Sequence, residues 1–171
     1  AKLPSEFVVR LAPALLSTFV VPLGGLIQFF LRPKDKTASI CTAAILLTLM
    51  PLIRHGRLAM LDGPQLSAIA LLWLFMVLIQ QSHRKNLFSF FAGLTSSFLL
   101  LLKAPLLIPV LVAAGLPIFC EREFRNQFDW PLVTWFGLGL LPGLSWHIWN
   151  GLQRGIGALW LWGADGAGRV L

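Results

Sequence analysis

Arg54, His55, Arg57 and Asp62 crowd into the stretch Arg54–Pro64, between two long apolar runs. A carboxylate at a membrane edge can orient a hydroxyl acceptor or coordinate a divalent cation. Guanidinium groups beside it can hold a phosphate through charge-assisted hydrogen bonds. The same letters also read as an ordinary helix start. Proline in a first turn gives up only an N–H that has no partner there, and an aspartate beside it faces the positive helix end. Arg57 and Asp62 are five residues apart, about 140° on an ideal helix, so they converge only if the segment is partly unwound.

Lys103 is the second candidate. It follows Leu99-Leu100-Leu101-Leu102 and precedes Ala104-Pro105, with no acidic residue near it in sequence. An ammonium at that depth costs roughly 2.5–3.5 kcal/mol on insertion scales, so it must snorkel to the surface or find an anion such as a phosphate. Near the start, Ser5 can cap a helix on which Glu6 and Arg10 stand one turn apart, as an interfacial ion pair or as part of a site. His55, His83 and His147 are scattered and show no metal-ligand spacing; each reads as a loop or packing residue. Cys41 and Cys120 match no redox or zinc spacing. A phosphate-cradling glycine loop and a nucleophile elbow are both missing.

These side chains need a membrane frame. Of the 171 residues 57% are hydrophobic and 12% charged, with mean hydropathy +0.77, against roughly a quarter charged in soluble domains. The composition implies an all-α, polytopic membrane helix bundle and excludes an ordinary soluble domain. No alternation suited to a membrane barrel recurs. Six apolar segments are expected, over about 7–31, 38–53, 65–81, 87–102, 105–120 and 132–150, followed by a Gly/Trp-rich interfacial segment at 151–171. Several hold about 16 strongly apolar residues, roughly 24 Å of helix, so flanking residues must complete the crossing of a ~30 Å core. Pro13 and Pro22 should kink the first segment, and Lys103-Ala104-Pro105 should break the long run from Leu87 to Cys120. The abrupt start at Ala1-Lys2-Leu3-Pro4, with no initiator Met or signal peptide, suggests a fragment of a longer chain.

The net charge of +7 sits in short loops, where anionic membrane lipids or a lipid-linked phosphate are nearer partners than nucleic acid. Six crossings place 32–36, 82–86 and 121–130 on one side, and the N-terminus, 54–64, 103–105 and the tail on the other. Each side then carries seven basic residues, so the positive-inside rule alone gives no orientation. Bases on the first side are packed in compact turns, as cytoplasmic anchors are. Those on the second are scattered, as if converging on one anion, which favours the first side as cytoplasmic.

Three stretches fall in a familiar order: Ser5-Glu6-Phe7-Val8-Val9-Arg10-Leu11, Arg57-Leu58-Ala59-Met60-Leu61-Asp62-Gly63-Pro64, and Gly93-Leu94 followed after six residues by Leu101-Leu102-Lys103-Ala104-Pro105. Together they resemble the dolichyl-phosphate-mannose-protein mannosyltransferase family, with the bacterial branch that includes the lipid A aminoarabinose transferase the closer likeness. The resemblance implies about six transmembrane helices of a C-type glycosyltransferase module in a multi-pass bacterial plasma-membrane protein, its active face periplasmic. It implies transfer of a sugar from a polyprenyl-phosphate donor to a lipid, glycan or protein acceptor.

By motif match, Asp62 and Arg57 would be catalytic, and Lys103, Arg57 and Arg10 would bind the lipid phosphate. Glu6, Arg54 and His55 are secondary candidates, and Asp62 would be the ligand of any divalent metal ion. Ala104 departs from the family's usual glycine. The family's first crossing and the loop carrying its general base would precede Ala1, and further helices would follow Leu171, so this stretch alone should be inactive. The rival readings are a transporter or channel fragment using the same charges as a path, which should show inverted repeats that are not visible here, and a purely structural subunit.

Overall fold

A computed structural model describes residues 6–49, 62–120 and 129–155, the side chains of 6–10 and 117–119 excepted. The regular structure among the described residues is entirely helical: α1 Glu6–Thr18, α2 Val20–Leu31, α3 Lys36–Thr48, α4 Asp62–Gln81, α5 Lys85–Cys120 and α6 Trp130–Arg154. Leu11–Leu31, Asp62–Gln81 and Lys85–Leu116 are long and apolar enough to cross a membrane. The chain is an all-α polytopic membrane bundle. It divides into two compact units, Ala1–Val77 and Leu78–Leu171.

In the first unit, the apolar run expected as one kinked segment over 7–31 carries α1 and α2, interrupted at Phe19, whose own dihedrals stay helical (φ −63°, ψ −22°); Leu11–Leu31 remains one stretch able to cross a membrane. Pro22 is the cause. It has no N–H for the Thr18 carbonyl, and its ring crowds that carbonyl four residues back. Pro13 lies inside α1 without ending it. The turn after α2 is closed by the Arg32 N–H donating to the Gln28 carbonyl at 2.9 Å. Asp35 then caps α3, its carboxylate accepting from the Ala38 N–H at 3.0 Å, which supplies one of the orphan donors of a helix start. The segment expected over 38–53 is helical over Lys36–Thr48; 50–53 lie outside the described residues.

α2 and α3 form an antiparallel hairpin whose small residues set the spacing. A Cβ on Gly25 would stand 3.3 Å from that of Ala43, and the Ser39 hydroxyl donates to the Gly25 carbonyl at 2.5 Å. Small side chains and interhelical hydroxyl bonds are how helices associate where lipid removes the hydrophobic drive. α4 starts three residues ahead of its apolar run. Its Gly63, Pro64 and Gln65 are buried, and the Ser67 hydroxyl donates to the Ser17 carbonyl at 3.4 Å.

The second unit is built on α5 and α6. Asp129-Trp130-Pro131 opens α6 with proline in the first turn. Gly155, at φ 80°, closes it in the left-handed region that glycine tolerates. The Ser89 hydroxyl donates to the Leu132 carbonyl at 2.6 Å, while Leu100 meets His147 further along. Both numbers rise together, so the first half of α5 and α6 run parallel. Between those contacts the helices touch backbone to backbone. A Cβ on Gly93 would collide with the Phe136 carbonyl oxygen, one on Gly139 with that of Phe90, and one on Gly143 would lie 2.8 Å from that of Ser97.

Parallel packing dictates what happens at Lys103, whose backbone (φ −161°, ψ 87°) interrupts the helix. Trp130 must return to the level of the first turn of α5. A straight α5 would leave Cys120 about 50 Å from there, and the ten residues to Trp130 reach at most about 35 Å. The helix therefore turns by roughly a right angle or more at Lys103. The second half then carries the chain back, burying Leu107, Val110 and Ala114 on one stripe.

Candidate functional site

Lys103 owes its setting to its neighbours. Pro105 removes the N–H that the Leu101 carbonyl would use and crowds that carbonyl. The strain is released two residues earlier, where Lys103 adopts extended dihedrals. A lysine at a helix break differs from one in mid-helix. The last carbonyls of the first half and the first N–H groups of the second half are left without intrahelical partners around it. The second half also presents its positive end there. The side chain is half-buried.

Asp62 is exposed and begins α4. The helix-start reading of Asp62-Gly63-Pro64 is thus realised, and it leaves the carboxylate free to act as well. Asp62 lies in the first unit and Lys103 in the second. Glu6 and Arg10 fall one turn apart on the backbone of α1. Arg54, His55 and Arg57 lie outside the described residues, as does the expected interfacial segment beyond Gly155. Among the described residues no group of three or more His, Cys, Asp or Glu side chains could hold a metal ion.

Residues 2–152 match the sequence profile of the dolichyl-phosphate-mannose-protein mannosyltransferase family. The chain belongs to that family. No curated protein and no solved structure matches it. The matched span runs from before α1 almost to the end of α6, so it takes in nearly all of the first unit and most of the second. Membership makes the chain part of a membrane glycosyltransferase and sets aside the transporter reading.

Three polar positions in this mannosyltransferase family member carry more structure than their sequence suggests. His147, read from spacing as a packing residue, is half-buried and bonded to the Leu100 carbonyl. Gln65 is buried in the first turns of α4, two residues from Gly63. Ser96 is fully buried with its hydroxyl unpartnered. The available signal was the row of small residues Ser89, Gly93 and Ser97 spaced by four, matched by Gly139 and Gly143, which announces close helix contact.

Proposed function

We propose that this glycosyltransferase moves a sugar from a polyprenyl-phosphate donor to a hydroxyl acceptor on the outer face of the membrane, with Lys103 meeting the donor's phosphate. The acceptor oxygen attacks the anomeric carbon and the carbon–oxygen bond to phosphate breaks. The electron pair leaves on the lipid phosphate with inversion at the sugar, and the hydroxyl proton passes to a general base supplied by another part of the enzyme. Charge grows on the departing phosphate, so a fixed cation there lowers the barrier more than it lowers the ground state. Arg57 and Arg10 add charge-assisted hydrogen bonds to the phosphate, and Asp62 orients the acceptor.

The observation that carries this reading is the helix break. A lysine in an apolar run, with no acidic residue near it in sequence and beside the positive start of a new helical segment, suits an anion, and this supports the phosphate reading. The family suggests a protein acceptor. The likeness to the aminoarabinose branch points to a lipid one, and the displacement is the same for both.

The test is sugar transfer from radiolabelled dolichyl-phosphate mannose and from other polyprenyl-phosphate sugars by the intact enzyme in membranes. Lys103→Ala should lower turnover by about a hundredfold, the scale of removing one preorganised stabiliser of developing negative charge, with the protein present at its normal level. Undiminished transfer from every donor would sink the assignment.

A further inference from the structure

The packing of α6 brings His147 level with the end of the first half of α5. Its Nε2 stands 3.2 Å from the carbonyl oxygen of Leu100. A carbonyl only accepts, so Nε2 carries the proton and donates. Leu100 is one of the last four residues before the break at Lys103. In an unbroken helix its carbonyl would take the N–H of Ala104, across the residue where the helix opens. The contact is built, not incidental. One turn earlier on each helix, a Cβ on Gly143 would lie 2.8 Å from the Ser97 carbonyl oxygen, and only so close an approach lets an imidazole reach a neighbouring backbone. Trp146 stands next to the His147 ring, with centroids 5.9 Å apart.

We propose that His147 is a positioning residue for the transfer site. By donating to the Leu100 carbonyl it anchors the open end of the first half of α5 to α6, and so fixes where the Lys103 ammonium stands relative to the phosphate. This rests on the reading of Lys103 as the phosphate ligand. A hydroxyl or carbonyl bond elsewhere in the seam would hold the helices together equally well. The bond at Leu100 lies within one turn of Lys103.

The experiment compares His147→Ala, His147→Gln and Lys103→Ala in the intact enzyme in membranes, with dolichyl-phosphate mannose as donor. Loss of one hydrogen bond to the backbone should lower turnover and raise the KM for the donor, each about threefold to tenfold, in His147→Ala. Backbone hydrogen–deuterium exchange across residues 100–107 should quicken, while the thermal midpoint stays near that of the parent. The amide of the Gln variant reaches the same carbonyl and should restore both KM and exchange.

An Ala variant matching the parent in KM and exchange overturns the proposal, as does a Gln variant as impaired as Ala. Should the Ala variant fail to accumulate, the Gln variant decides by itself: parental KM and exchange uphold the proposal, and loss of either overturns it. Full transfer by Lys103→Ala would instead overturn the phosphate reading, while the exchange result still reports separately on whether His147 holds the break.

Discussion

At the scale of single residues, Asp62 and Lys103 show how differently two charges can be legible. Lys103 is conspicuous because nothing near it in sequence compensates it, and the structure adds a reason for its position, the helix break made by Pro105. Asp62 sits in the first turn of α4, where an acidic side chain suits the positive helix end whatever else it does. Substitution separates the capping role from a catalytic one. As a cap beside the macrodipole, Asp62 contributes at most about 1 kcal/mol, and Asp62→Asn would lower the thermal midpoint slightly and leave turnover intact. As the group that orients the acceptor, it should cost about a hundredfold in kcat/KM with stability nearly unchanged, and that is the outcome expected from transfer assays and thermal unfolding run side by side. Transfer in EDTA separates two forms of that role: persistence means the carboxylate acts on the acceptor directly, and loss reversed by added Mg2+ gives Asp62 a metal-binding role.

Among the elements, the seam between α5 and α6 is the most exacting. Gly93→Ala and Gly139→Ala each place a methyl group against a backbone carbonyl, and rigid backbone cannot move aside as a side chain can. Each should destabilise by about 1–3 kcal/mol, read as a lower thermal midpoint of the purified protein and lower abundance in membranes. Gly137→Ala is the control, because a Cβ there meets nothing within 4 Å, and it should be neutral. The break at Lys103 was legible from Pro105 alone. That Pro22 would interrupt the first segment was legible too; that Pro13 would stay inside its helix was not, because a proline's effect depends on whether neighbouring packing supports the freed carbonyl. The helices α4 and α6 extend past the segments expected over 65–81 and 132–150. Their ends are completed by Asp62-Gly63-Pro64, by Trp130-Pro131 and by Gly151–Arg154, residues that a hydropathy criterion trims away.

For the whole molecule the decisive question is sidedness. Within the second unit, the turn at 82–84 and Trp130 lie at one end of the parallel pair, and Lys103 and Arg154 lie towards the other. α6 is not among the helices singled out by length and apolarity. Yet its exposed Trp130 and Trp149 are separated by about 28 Å of helix, close to the ~30 Å hydrocarbon core at whose edges indole rings collect. We expect α6 to cross the membrane. In an enzyme whose Cys41 and Cys120 have been replaced, His83→Cys and Asp129→Cys should label with an impermeant thiol reagent from one side and Arg154→Cys from the other. Labelling of all three from one side would refute the crossing.

Composition by itself determined that the chain is a helical membrane bundle, because so few charges leave no other way to satisfy a backbone in lipid. Motif order determined the family. Only the tertiary structure decided that Gly93 and Gly139 meet a neighbouring backbone and that His147 reaches the carbonyl of Leu100, just before Lys103. Both follow from the parallel register of α5 and α6, which depends on contacts between residues more than forty positions apart and leaves no local trace in the sequence.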